Sequence, residues 1–411
     1  MKHVIIGNGI AGVCAAEAIR EIRPDDEIVM IGDENVLPYG RPLISHVLEG
    51  CLVPEKLLIR PPDFYRRLNI TPVLGRRAAG LDINARTVMM ADGAPIGFDR
   101  LLVATGADPR RLNVPGSQLA NIFCLRTQAD VRQQLAALGQ GARRALVLGG
   151  GLVGFKAAYG LVRRGLDVTM LIGSGYPLSM QVDETAGKMI LAEMQAHGFT
   201  VQVGLNVAAF EGRATVQAAL TDAGTRIACD MVIVGKGVTP AHGFLAGLPI
   251  GIDSGILVDA HLQTRLPQIY AAGDVAETVD IARQRRWVNA IWPEAALQGK
   301  IAGFNMAGRP VAYRGSLGRN VLRIFGLDVM SLGDPCPQSP QRYRILHSGG
   351  PGRGFYRSLV LKDDRLVGAV LINGIEQGGV LRALIENRVP LRRPAADLMS
   401  PGFNFSRLLH G

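Results

Sequence analysis

The sequence predicts an α/β fold: two β-α-β units built on one plan, followed by a small α+β segment. Three observations predict it. Gly7-Asn8-Gly9-Ile10-Ala11-Gly12 directly follows the apolar run His3–Ile6 and leads into the Ala-rich stretch Ala11–Arg20. Gly149-Gly150-Gly151-Leu152-Val153-Gly154 directly follows Ala145–Leu148 and leads into a helical stretch that runs to Arg164. Near the C-terminus Tyr356–Leu361 and Leu366–Leu371 alternate in the strand manner, and a helix is expected at Gly378–Asn387.

Each glycine turn sits between a strand and a helix, the context that gives a GxGxxG spacing meaning. The first glycine makes the tight turn, the second lets a pyrophosphate approach the backbone, and the third lets helix and strand pack closely. Ile10 and Ala11, like Leu152 and Val153, open a helix whose free N–H groups and dipole favour the pyrophosphate. Two copies imply two dinucleotides on one chain. Pro24 ends the first helix, and Glu27–Ile31 forms a second strand closing at Gly32-Asp33-Glu34. This acidic pair falls about 20 residues past the turn, where a carboxylate accepts hydrogen bonds from a ribose. The same pair also reads as turn residues. Residues 35–75 are rich in Pro and Arg, with a helix expected from near Pro42. Thr87–Met90 and Leu101–Ala104 read as strands, the latter entering the small-residue turn Ala104-Thr105-Gly106. From residue 121 the plan repeats: Asp167–Ile172 is the second strand, and Met231–Val234 ends at Gly235-Lys236-Gly237. Gln268–Ala272 is a strand ending at Gly273-Asp274, and Pro293–Met306 is a helix.

At 411 residues the chain exceeds one ordinary core, so two or three domains are expected. A composition of 48% hydrophobic and 19% charged residues is globular. The net charge of +10 is spread over scattered pairs such as Arg66-Arg67, Arg143-Arg144 and Arg285-Arg286. Without a basic block interleaved with aromatics, no nucleic acid is expected. A basic docking face for an acidic protein is the better expectation. The five cysteines are far apart and none forms CxxC, so no metal or cluster site is expected. Reduced thiols, a first strand starting at the second or third residue and no apolar run of ~20 residues suggest a soluble cytoplasmic protein.

In this order the motifs Gly7–Gly12, Ala104–Gly106, Gly149–Gly154 and Ile269-Tyr270-Ala271-Ala272-Gly273-Asp274 resemble those of FAD- and NAD(P)-dependent pyridine nucleotide–disulfide oxidoreductases. The resemblance covers essentially the whole chain. It implies a glutathione-reductase-like arrangement of two Rossmann-like domains. The FAD domain is split between 1–120 and 245–308, an NAD(P) domain occupies 121–244, and a C-terminal interface domain occupies 309–411. It also implies that Asp274 bonds the FAD ribityl chain. The helix starting near Pro293 would aim its positive end at the flavin edge where charge develops on reduction.

Disulfide reductases of this family carry two cysteines after the first β-α-β, and related oxidases carry one. Between Gly32 and Gly50 this sequence has none, and Pro42 stands where the oxidase cysteine would. Leu37-Pro38-Tyr39-Gly40-Arg41-Pro42-Leu43-Ile44-Ser45-His46 instead resembles ferredoxin, rubredoxin and nitrite reductase flavoproteins. Those have a lysine and a glutamate near flavin N5 where this chain has His46 and Lys156. Trp292 matches a tryptophan near the nicotinamide–flavin stack. The strand preceding Gly173-Ser174-Gly175-Tyr176 ends in neither an acid nor a cation, which leaves NAD(H) preferred and NADP(H) open. The expectation is an FAD oxidoreductase exchanging hydride with NAD(P)(H) and single electrons with a ferredoxin-like Fe–S partner. The Gly154-Phe155-Lys156 variant resembles NAD-coupling subunits of anaerobic complexes of the phenylglyoxylate or aldehyde oxidoreductase kind, so an oligomer or complex subunit is expected. Its rivals are a stand-alone rubredoxin or ferredoxin reductase, an NADH oxidase and a non-catalytic redox-sensing module.

Overall fold

A computed structural model describes residues 1–391, 395–399 and 403. The chain opens with β1 (Lys2–Ile6), α1 (Ile10–Ile22) and β2 (Glu27–Gly32). The short α2 (Ile44–Glu49) precedes β3 (Ile70–Leu74) and β4 (Arg100–Val103). The second glycine turn lies in the run β5 (Ile122–Cys124), α3 (Gln128–Gly139), β6 (Arg144–Leu148), α4 (Leu152–Arg163) and β7 (Asp167–Ile172). Then come α5 (Glu184–Ala196), β8 (Thr200–Val203) and β9 (Met231–Val234). The chain returns with β10 (Ile269–Ala271) and α6 (Trp292–Met306). It finishes with β11 (Arg319–Ile324), β12 (Leu327–Gly333), β13 (Arg344–Gly349), β14 (Tyr356–Lys362), β15 (Arg365–Ile372) and α7 (Gly378–Glu386).

Two compact units result. The first comprises Met1–Leu43, Glu55–Asp108 and Val238–Ser316; the second comprises Ile44–Pro54, Pro109–Gly237 and Leu317–Gly411. The first unit holds a parallel sheet in the order β10-β4-β1-β2-β3. Its strands read as near-continuous apolar runs because both faces are covered, and Val4, Ile5, Leu101 and Leu102 are wholly buried. α1 and α6 pack tightly in this unit because small residues meet. A Cβ on Gly299 would lie 2.1 Å from the Ala11 carbonyl oxygen, and one on Gly303 would lie 2.4 Å from that of Ala15.

The second unit repeats the plan in the order β8-β7-β6-β9-β5, again all parallel. α3 starts with a capping box, in which Thr127 and Asp130 each satisfy the other's backbone N–H. The same unit contains the antiparallel sheet β11-β12-β15-β14-β13. The expected alternating strands at the C-terminus are β14 and β15; β11, β12 and β13 carried too little alternation to be read beforehand. α4 and α5 are joined to the turn between β11 and β12 through aromatics, with Tyr159 of α4 against Phe325 and the ring of His197, just past α5, stacked on Phe325 at 4.0 Å. The helix expected near Pro42 is α2, entered through a 3-10 turn at Arg41–Leu43.

Candidate functional site

β1 delivers the chain into its glycine turn at a steric limit. Gly7 has φ +128°, and a Cβ there would sit 2.0 Å from the carbonyl oxygen of Ala104. A Cβ on Gly12 would sit 2.0 Å from the carbonyl oxygen of Gly7. The protein's own backbone therefore demands glycine at both positions. Gly9 is different: its backbone is extended, and a Cβ there would meet nothing within 4 Å. That glycine fills no packing need of the chain, and the room beside it is where a pyrophosphate would approach the turn. The residues present fit a dinucleotide.

The motifs far apart in sequence converge on this turn. The Ala104 N–H donates to Ile6 O at 2.7 Å, the Thr105 hydroxyl donates to Ala241 O at 2.7 Å, and Gly106 follows with positive φ. Gly273 lies against Ala11 and Ala295, and its N–H donates to Gln298 Oε1 at 2.8 Å. Asp274 follows it, half-buried at the end of β10. Of the expected ribose acids, Asp33 is exposed, while the Glu34 carboxylate accepts from Tyr39 Oη at 2.9 Å and from Arg41 Nη2 at 2.5 Å. Pro42 sits in the 3-10 turn beside Arg41.

α6 begins at Trp292, which is half-buried, with Pro293 in its first turn. Five residues not singled out as site residues from the sequence tie this region together. Asn8 donates to Val36 O at 2.9 Å and accepts from Tyr65 Oη at 2.7 Å, and burial pushes the Tyr65 phenol up to about 12. The Gln298 amide donates to Tyr313 Oη at 3.2 Å, and Tyr313 in turn donates to the buried Glu294 carboxylate. Only the i, i+4 spacing of Glu294 and Gln298 on the expected helix hinted at a shared face.

The second unit reproduces the cradle. Gly149 has φ +106°, with its Cβ position 2.4 Å from Gly235 O. The Cβ position of Gly154 is 2.0 Å from Gly149 O, and that of Gly151 meets nothing within 4 Å. Leu152 and Val153 form the first turn of α4, and Gly237 has positive φ in the loop beyond β9. That loop also brings a cation to the end of the second strand, which itself ends in neither an acid nor a cation. Lys236 Nζ donates to Asn206 Oδ1 at 2.9 Å, and Asn206 lies against Gly173 just beyond β7. Burial lowers the Lys236 amine from its ordinary value. The sequence hid this residue because it comes from a different strand, far along the chain.

Lys156 is half-buried on α4, and burial lowers its amine from the ordinary value. His46 is on α2, which packs on α4 where Gly160 leaves room for the Glu49 backbone. The His46 ring is engaged locally, with Nδ1 3.2 Å from Glu49 Oε2 and 3.6 Å from Cys51 Sγ. Beside it the Ser45 hydroxyl is buried with no hydrogen-bond partner among the described residues. Among the described residues no helix is long and apolar enough to cross a membrane.

Residues 1–295 match the family model described as pyridine nucleotide-disulphide oxidoreductase, and residues 319–389 match the rubredoxin NAD+ reductase C-terminal domain. The chain is 30% identical over 394 residues to the NADH-dependent phenylglyoxylate dehydrogenase subunit epsilon of Aromatoleum evansii, covering 95% of this chain and 92% of that one. It is 30% identical over 405 residues to the biphenyl dioxygenase system ferredoxin–NAD(+) reductase component of Paraburkholderia xenovorans (strain LB400), covering 98% and 97%. Among solved structures, the covalent putidaredoxin reductase–putidaredoxin complex matches with a TM-score of 0.90 and 25% identity, covering 100% of this chain and 98% of that one. The matched family is FAD-dependent and uses NAD(H).

Proposed function

The chain belongs to the pyridine nucleotide-disulphide oxidoreductase family, and on that premise we propose that it is an FAD-dependent NAD(H) oxidoreductase delivering single electrons to a separate Fe–S protein. The observation that carries this reading is the pair of glycine cradles, one in each unit, each with a glycine facing open space at its centre. When bound, FAD and NAD(H) supply hydride exchange and one-electron steps.

The chain's own residues supply binding and orientation. Gly7, Gly9 and Gly12 with the N–H groups of Ile10 and Ala11 hold one pyrophosphate; Gly149, Gly151 and Gly154 with Leu152 and Val153 hold the other. Asp274 and Glu34 bond the hydroxyl-bearing parts of FAD, and the Gly235–Gly237 loop lines the NAD(H) cradle. In the unit of the first cradle Trp292 offers a flat apolar wall to the flavin, and in the unit of the second cradle Lys156 offers positive charge to its dinucleotide. The absence of any cysteine between Gly32 and Gly50 supports electron delivery to a partner protein over disulfide exchange.

The relative from Aromatoleum evansii, a subunit matched over nearly its full length, supports the finer reading of an NAD-coupling subunit in a larger complex. The ferredoxin reductase component, matched as fully, supports a second reading as a stand-alone reductase. Anaerobic stopped-flow mixing of the flavin-loaded protein with NADH or NADPH, followed by a ferredoxin-like acceptor, tests the shared core. Bleaching of the flavin by one nucleotide and then reduction of the acceptor is expected. Failure of both nucleotides to bleach it sinks the proposal. Purification from the native host then separates the two readings by whether Fe–S subunits travel with the chain.

A further inference from the structure

We propose that His46, Glu49 and Cys51 form a binding site for one zinc ion. Among the described residues this is the one group of three such side chains whose donor atoms all lie within 4.8 Å of one another. His46 Nδ1 and Glu49 Oε2 are 3.2 Å apart, Cys51 Sγ and His46 Nδ1 are 3.6 Å apart, and Cys51 Sγ and Glu49 Oε2 are 3.3 Å apart. Ordinary zinc bonds to nitrogen, oxygen and sulfur at tetrahedral angles separate such donors by roughly 3.3–3.6 Å. The triangle thus has the edges of a tetrahedral face, and a mixed N, O, S set suits this borderline-soft ion. Three protein donors leave the fourth position to water.

The local backbone holds this triangle together before any ion arrives. Gly50, with φ +92°, turns the chain at the end of α2, and the N–H groups of Gly50, Cys51 and Leu52 all donate to the His46 carbonyl at 3.0–3.2 Å. This fold-back puts Cys51 over the last turn of the helix. Arg164 donates to the carbonyls of Val47 and Leu48, which pins α2 against α4. Arg163 Nε approaches the other Glu49 oxygen, Oε1, at 3.9 Å; its side chain is largely exposed and leaves Oε2 to the triangle. The metal-free Cys51 thiol keeps its proton and donates it to Glu49 Oε2. Binding forms the S–Zn bond, breaks S–H and releases that proton to solvent.

The test uses the full flavoprotein, stripped with a chelator under a non-thiol reductant and then dialysed to equilibrium against zinc sulfate. One zinc per chain is expected for the wild type, with at least about tenfold weaker binding in Cys51→Ser and in Glu49→Gln. Zinc-edge X-ray absorption on the wild type should report a single sulfur ligand among nitrogen and oxygen. Equal zinc uptake by wild type and Cys51→Ser, or a wild-type spectrum without sulfur, overturns the site. Cys51 is exposed, so its serine variant keeps the fold, which circular dichroism checks.

Discussion

One carboxylate, Asp230, ties the start of β6 to the approach to β9. It accepts from the N–H groups of Arg143 at 3.0 Å and Arg144 at 2.9 Å, and from Arg144 Nη2 at 2.6 Å. The Arg144 side-chain hydrogen bond, partly opposed by burial, lowers its pKa to about 2. A carboxylate lowered on folding stabilises above its unfolded value near 3.9 and loses that contribution as pH falls toward 2. Asp230→Asn should therefore cost about 1–2 kcal/mol at neutral pH, the lower end for charged hydrogen bonds in a half-solvated pair. The gap in stability between variant and wild type should stay flat above about pH 5 and shrink below pH 4, as chemical denaturation at each pH would reveal. Gly9 and Gly12 separate ligand from fold. Gly9→Ala should leave the flavin-free protein within about 0.5 kcal/mol of wild type while weakening FAD binding at least about tenfold. Gly12→Ala should destabilise the apoprotein itself, since its Cβ has no room beside Gly7 O. Thermal melts and flavin fluorescence titrations distinguish the two. For Lys236, brought to the end of β7, alanine should raise the KM for the nicotinamide dinucleotide severalfold with kcat nearly unchanged, the signature of lost uniform binding.

Between elements, the crossing of α1 and α6 is decided by residues that lack side chains. Ala11, Ala15 and Ala18 on one helix meet Gly299 and Gly303 on the other, backbone against backbone. Gly303→Leu has nowhere to place its branch, and the expected cost is about 3 kcal/mol or more with a clear drop in Tm. Flavin retention after gel filtration should fall with it, because α6 also carries Gln298 to the Gly273 turn. The two β-α-β units were legible beforehand because buried parallel strands such as Val4–Ile6 and Leu146–Leu148 are unbroken apolar runs flanked by glycine. β11 and β13 were not, because their exposed and half-buried residues, such as Val321 and His347, break strict alternation. The helix expected near Pro42 is α2, entered at Ile44 through the 3-10 turn Arg41–Leu43, because Pro suits the first turn of a helix and not its interior.

For the whole molecule, the positive charge of +10 bears on association with a partner more than on folding. For an acidic Fe–S acceptor, the kind of partner the basic sequence leads one to expect, kcat/KM should fall on the order of tenfold between ~20 mM and ~0.5 M salt. The rate of flavin bleaching by NADH should change far less. Stopped-flow traces at several ionic strengths check both halves. The sequence by itself determined the doubly repeated plan and the glycines at Gly7, Gly12, Gly149 and Gly154, because a tight strand–helix turn imposes its needs on neighbours in the chain. The tertiary structure alone decided which distant residues close those turns, Ala104 against Gly7 and Gly235 against Gly149. It also decided that Lys236 stands beside Asn206 and that His46 faces Glu49 and Cys51. These pairings depend on how strands are ordered in a sheet and on how a loop folds back over its helix, and neither leaves a periodic trace in the order of residues.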